Sequence, residues 1–233
     1  MAVEIILVGC GGVGTMFADL IATSFKRKRM VYVDGDAFTK DNLLRQTFLV
    51  SDIGRNKAEA MADRYKNGTA HTQFITDVSI LPDAKIIVCA VDNNAARRAC
   101  MAIARSQRIP CIIAANETES SMVYVYYPHI GDDKNPMKWY PELATDTVNT
   151  VTTNCATAIE TKGREQTKVA NVAAAVMAIN ALIATENAIR YKIPYEMRYI
   201  HWYACNGNIK TSRGSDLPSL FPHVFQEATH EVA

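Results

Sequence analysis

The chain has 233 residues, is 48% hydrophobic and carries a formal net charge of +1. That composition excludes wholesale disorder, and the near-zero charge leaves no global field to draw nucleic acid or an acidic membrane surface. Its six cysteines form no C-x-x-C pair, so neither a structural zinc nor a redox dithiol is indicated, and a reduced cytoplasmic protein is the default expectation.

Residues 4–8 (EIILV) are an apolar run of strand length, followed directly by Gly9-Cys10-Gly11-Gly12-Val13-Gly14 and then by apolar residues at helical spacing over 15–22. Strand, glycine turn and helix in that order make a phosphate cradle: the glycines allow close approach, and the helix start offers free N–H groups. The N-terminus is therefore read as the first strand, not as a signal peptide. The basic run 26–29 reads as the C-terminus of that helix. Residues 30–34 are a second strand ending on Asp34, and 36–47 are polar, with one helical turn expected near 42–45. A helix is expected from Gly54, carrying Ala58, Met61, Ala62 and Tyr65 on one face, and a short third strand at 73–75. The continuous apolar runs 85–91 and 110–115 suit strands buried on both faces of a parallel sheet, with a helix at 93–105 between them. This rhythm predicts a doubly wound sheet with ligands at the carboxyl ends of its strands.

Beyond residue 115 the pattern changes. Residues 122–127 read as an exposed or half-buried strand, and 128–154 as a long loop without sustained period. A helix spans 166–191, with Val169, Val172, Ala173, Val176, Ile179, Leu182 and Ile183 on one side. Its most apolar part, 169–184, is interrupted by Asn171 and Asn180 and is read as too short and too polar to span a bilayer. A hairpin of 197–203 and 208–211 follows, then a tail from 215. The expected fold is a single Rossmann-like α/β domain. Its mixed sheet is parallel in a nucleotide-binding half (1–115), with antiparallel strands added in the second half (116–214).

Polar clusters fall where the sheet's carboxyl ends belong. Asp34, about twenty residues beyond the glycine turn, can accept both ribose hydroxyls of an adenine nucleotide. The glycine turn and Asp34 alone fit NAD equally well. Arg45, however, supplies a permanently charged fork for phosphate oxygens, with Asn42 and Gln46 as neutral donors beside it. Lys57, early in the next helix, either points at the same ligand or lies on a solvated face. Asp92, just past a buried strand, suits either a magnesium ligand or a helix N-cap.

The sequence Gly9-x-Gly11-Gly12-x-Gly14, Asp34-x-Asp36, Asn42-x-x-Arg45-Gln46, Gly54-x-x-Lys57 and Asp92-Asn93-x-x-x-Arg97 resembles the ThiF/MoeB superfamily, the adenylating domain of ubiquitin-activating-type enzymes. The resemblance implies ATP and Mg2+ as cofactors. It also implies a reaction in which the C-terminal carboxylate of a small ubiquitin-like protein, ending in glycine, attacks the α-phosphate to give an acyl adenylate and pyrophosphate. It assigns the glycines, Asp34, Asp36 and Asn93 to nucleotide binding, Asn42, Arg45, Gln46 and Lys57 to the phosphates, and Asp92 to magnesium.

Trp139 through Leu143, Asn154-Cys155, Glu165 through Thr167 and Asn171 resemble the stand-alone members found in bacterial mobile elements and phages. There a cysteine in the crossover loop can take the acyl group as a thioester. Cys155 is the candidate, because it lies in polar, loop-like sequence leading toward a helix. A homodimer is expected from the same resemblance. A sulfur-carrier protein in cofactor biosynthesis is the alternative partner, and an NAD-dependent oxidoreductase the alternative class.

Overall fold

The computed structural model of the chain describes residues 3–25, 28–116, 120–128, 136–139, 143–144, 168–191, 198–203 and 209–213, with 138–139 and the last two segments as backbone. Eight strands form one sheet in the order β3-β2-β1-β4-β5-β6-β7-β8. The first five are β1 (Ile5–Val8), β2 (Met30–Val33), β3 (Gly68–His71), β4 (Ile86–Cys89) and β5 (Cys111–Asn116), and they pair in parallel. β6 (Ser120–Tyr126), β7 (Arg198–Tyr203) and β8 (Ile209–Arg213) add antiparallel. The mixed Rossmann-like sheet is the one expected.

Three helices cover one face: α1 (Gly12–Ser24), α2 (Lys57–Tyr65) and α5 (Lys168–Tyr191). There Ile5, Leu7, Tyr32, Val88, Ile112 and Val123 meet Phe17, Ile21, Met61 and Leu182. The other face carries α3 (Asn94–Gln107) over Ile6, Val8, Val31, Ile87 and Ile113. The sheet strands β1, β2 and β4 are buried at every position, as two-sided cover requires. A one-turn helix, α4 (Pro136–Trp139), lies within the stretch expected to be loop.

Four local expectations are corrected. The third strand is Gly68–His71, not 73–75, because Lys66 closes α2 in the left-handed conformation and Gly68 then runs against the backbone of Met30. α2 begins at Lys57, since the Asn56 side chain accepts hydrogen bonds from the N–H groups of Ala58 and Glu59 and caps the helix there; Gly54, at φ +87°, lies in the turn before it. β6 is an interior strand: Ser121 and Val123 through Tyr126 are buried between two antiparallel neighbours. α1 ends at Ser24, and Lys28 of the basic run, expected at the helix C-terminus, pairs with Glu186 of α5 and with Glu4 at 3.9 Å; residues 26–27 lie outside the described residues.

α5 packs inward through its alanines, whose small size allows close packing on the sheet. At 24 residues it is long and apolar enough, by length and composition, to cross a membrane. Within this fold it packs on α1, β5 and β6. The face doing so is not the valine stripe but Ala170, Ala174, Ala175, Ala178 and Ala181, with Leu182. Val169, Val172, Val176 and Ile183 are exposed. The small alanine side chains let the helix lie close to α1 and the sheet.

Candidate nucleotide site

The glycine turn joins β1 to α1 as anticipated. Gly9 has φ +89°, and a Cβ on it would lie 2.6 Å from the Ala90 carbonyl oxygen, so no other residue fits there without strain. Gly14 is equally constrained, since a Cβ would sit 1.9 Å from the Gly9 carbonyl oxygen. At Gly11, by contrast, the Gln46 side-chain nitrogen, 3.9 Å away, is the nearest group a Cβ would meet. Gly11 is the N-cap of α1. No side chain caps that helix and no acidic residue occupies its first turn, so its leading N–H groups and partial positive charge face the open side of the turn.

Asp34 organises this turn. Its Oδ2 accepts the Cys10 backbone N–H at 2.7 Å and its Oδ1 accepts that of Asp36 at 2.8 Å. It is 8% exposed. Burial pushes its carboxyl above the ordinary value of 3.8, against the pull of Lys57 and the two backbone N–H groups. Lys57, also buried, donates to Asp36 Oδ2 at 3.2 Å. Asn56 welds α2 to the same loop: its Nδ2 reaches the carbonyls of Asp34 at 3.0 Å and Asp36 at 3.1 Å, while its Oδ1 caps the helix. Lys57 is thus buried against Asp36 and does not lie along a solvated face.

The Asn42–Gln46 cluster also lies by the start of α1. A short 3-10 helix (Lys40–Leu44) carries it, and the Asn42 carboxamide oxygen accepts the Thr39 N–H at 3.1 Å. Asn42 and Gln46 are buried, and Arg45 is partly so. Two contacts from the adjoining Thr47 dock the cluster on α1: its N–H donates to Thr15 Oγ1 at 3.2 Å, and its Oγ1 to Met16 Sδ at 3.2 Å. A ring stack of Phe38 on Phe48, 3.7 Å between centroids, closes the loop's base.

At the end of β4, Asn93 is the cap of α3, accepting the Ala96 N–H at 2.8 Å. That corrects the possibility that Asp92 caps the helix and leaves the Asp92 carboxylate exposed. Arg97 turns back on the Val91 carbonyl at 3.2 Å. Leu143 of the second motif is buried, and its carbonyl accepts from Arg98 at 2.8 Å. Cys155, Asn154 and residues 165–167 lie outside the described residues. An open groove of about 750 Å³ runs along α3 past Ile75, Ala99, Tyr126 and Met137; it includes none of the predicted site residues.

Sequence reasoning gave two asparagines no role. Asn56 had a readable signal, since Asn followed by Lys-Ala-Glu is a helix start. Asn171, on the first turn of α5, was named only within the second motif, with no contact assigned; it is 1% exposed and bonds the Arg45 carbonyl at 3.0 Å.

A mixed sheet with an uncapped helix start behind a glycine turn defines a Rossmann-like α/β protein. The family model for the ThiF family matches residues 1–213, and the chain belongs to that family. A search of curated proteins gave no match. Among solved structures, Escherichia coli MccB with ATP superposes at TM-score 0.67 and 18% identity, covering 91% of this chain and 64% of that one. MccB with selenomethionine MccA gives 0.66 and 20%, covering 91% and 63%. Selenomethionine PaaA gives 0.59 and 18%, covering 90% and 64%. The chain therefore spans less than two thirds of the length of these proteins.

Proposed function

We propose that this protein transfers AMP from ATP to a carboxylate, that of the C-terminal glycine of a small ubiquitin-like protein. One observation carries the reading: the Arg45 segment, through Thr47 on Thr15, and the Lys57–Asp36 pair, through Asp34 on the Cys10 N–H, both reach the glycine turn at the start of α1, a helix with no side-chain cap. Membership of the ThiF family and the likeness to MccB, crystallised with ATP and with MccA, support it.

A carboxylate is already a nucleophile at neutral pH. The barrier is bringing one anion up to a polyanion and stabilising a crowded phosphorus. The carboxylate oxygen bonds to the α-phosphorus, and the bond to the bridging oxygen of pyrophosphate breaks. Arg45, Lys57 and the first-turn N–H groups of α1 neutralise that charge, while Asp34 takes the ribose hydroxyls through lone pairs its two N–H partners leave open. Gly11 gives the phosphates room to reach the backbone. The exposed Asp92 suits Mg2+, which binds through one or two carboxylates and travels with phosphates; bound there, it would supply further charge neutralisation. In a second step the Cys155 thiolate attacks the acyl carbon and AMP leaves, forming a thioester. The sulfur-carrier alternative shares the first step, so the identity of the acceptor separates the two. The exposed stripe Val169, Val172, Val176 and Ile183 favours a homodimer. The free, buried Cys10, Cys89, Cys100 and Cys111 suit a reducing cytoplasm.

The test is labelling with α-radiolabelled ATP in the presence of candidate small proteins ending in glycine. The expected result is a protein-bound adenylate and pyrophosphate release. A Cys155→Ala variant is expected to form the adenylate but no conjugate cleavable by thiols. A reducible conjugate formed by that variant would remove the thioester step. Stabilisation by NAD and not by ATP–magnesium in a thermal-shift assay would favour the oxidoreductase class.

A further inference from the structure

We infer that Asn171 is a positioning residue that fixes the Arg45 backbone relative to the glycine turn. The inference rests on the reading of Arg45 as a phosphate ligand.

Asn171 stands on the buried face of α5, which is otherwise alanine, Met177 and Leu182 with Thr185, and it is 1% exposed. A buried carboxamide is costly unless both its ends are bonded. Here both are. Its Oδ1 accepts from Asn116 Nδ2 at 2.7 Å, and its Nδ2 donates to the Arg45 carbonyl at 3.0 Å. The amide group also lies flat against Gly12: a Cβ there would be 2.4 Å from Nδ2, 2.7 Å from Cγ and 2.8 Å from Oδ1. A side chain at Gly12 would therefore displace the Asn171 carboxamide from this position. One side chain thus touches three separate pieces of chain. These are the first residue of α1, the carbonyl of Arg45 and the end of β5, where the sheet turns from parallel to antiparallel.

The chemical consequence follows from the geometry. The groups proposed to meet the α-phosphate are the α1 N–H donors and the Arg45 guanidinium. Asn171 spans the backbones that carry them, and Asn116 decides which end of the amide faces Arg45. A misplacement of about an ångström between such groups costs on the order of a hundredfold in rate. A packing role alone would be met as well by alanine or leucine.

The test uses the full chain and two readouts. In hydrogen exchange without nucleotide, Asn171→Ala is expected to speed the amides of Arg45, Gln46 and Thr47 about tenfold while those of β1 and β4 hold their protection. In Mg·ATP binding by calorimetry, Asn171→Ala and Arg45→Ala are each expected to weaken binding about tenfold, and the double variant no further than Arg45→Ala alone. Additive losses, or unchanged exchange at residues 45–47, would overturn the inference. If Asn171→Ala does not fold, Asn116→Ala replaces it in both measurements, with the same direction of effect expected and the same outcomes decisive. If the wild-type chain does not bind Mg·ATP, the adenylation reading fails, while the exchange data still decide what Asn171 holds.

Discussion

The Lys57 ammonium faces two carboxylates whose burial differs, and that difference sets what it does to each. Asp36 is exposed and takes a direct contact at 3.2 Å; Asp34 is buried and feels the charge through space while burial raises its pKa. Between the ordinary value of 3.8 and the raised one, folded Asp34 holds a proton that the unfolded chain has released. Stability from this group is therefore fully present below the ordinary value and is lost as pH rises through the raised one. Lys57→Met takes away an opposing charge, so the Asp34 carboxyl is expected to titrate at still higher pH in a carbon-13 NMR titration. An unmoved or lowered titration point in that variant would contradict the pairing.

At the same scale, Arg45→Ala is expected to leave the fold intact and to slow ATP–pyrophosphate exchange about a hundredfold, the ~3 kcal/mol typical of one lost preorganised donor. Exchange at the wild-type rate in folded protein would remove Arg45 from the chemistry. The charged candidates Asp34, Arg45 and Lys57 could be singled out in the sequence because they follow apolar strand runs or open a helix. Asn56 was legible as a helix cap, but the contact of Asn171 with the Arg45 carbonyl was not, since a carboxamide that serves a distant backbone group leaves no pattern of charge or period.

Among the elements, α5 illustrates how periodicity misleads when two apolar stripes share one helix. Residues 169, 172, 176 and 183 are spaced as well as residues 170, 174, 178 and 182, and larger side chains argue for the former. Close approach to α1 selects the latter. Ala178→Leu, at a fully buried position, is expected to destabilise the fold by about 1–3 kcal/mol, read from the urea midpoint. Val172→Glu combined with Val176→Glu on the exposed stripe is expected to leave that midpoint nearly unchanged and to give a monomer by light scattering. A wild-type chain that is itself monomeric would sink the dimer proposal. The strands divide in the same physical way. β1, β2, β4 and β5 announced themselves as continuous apolar runs because both faces are covered. β3 did not, since Gly68, Thr69, Ala70 and His71 are half-exposed or exposed and its place is set by Lys66 and by pairing with β2.

For the whole molecule, the question is whether residues 1–115 are a unit in their own right. The core on the α1 face answers through its membership: Phe17 and Ile21 of α1, Leu7 of β1 and Ile112 of β5 share one cluster with Ala174, Ala178 and Leu182 of α5 and Val123 of β6. Removing α5 would strip cover from Phe17 and Ile21, both fully buried, at about 1.5–3 kcal/mol for each large side chain exposed. Against a typical total of about 5–15 kcal/mol, a few such losses suffice to unfold the remainder. The α5 contacts through Asn171 and through Lys28 with Glu186 would go with it. A fragment ending at residue 116 is therefore expected to show no cooperative thermal transition and to bind a hydrophobic dye, whereas the full chain melts in one step. If the fragment melts cooperatively near the full chain's temperature, the two halves are separable units, and the coupling through α5 is decoration on a nucleotide-binding fold that stands without it.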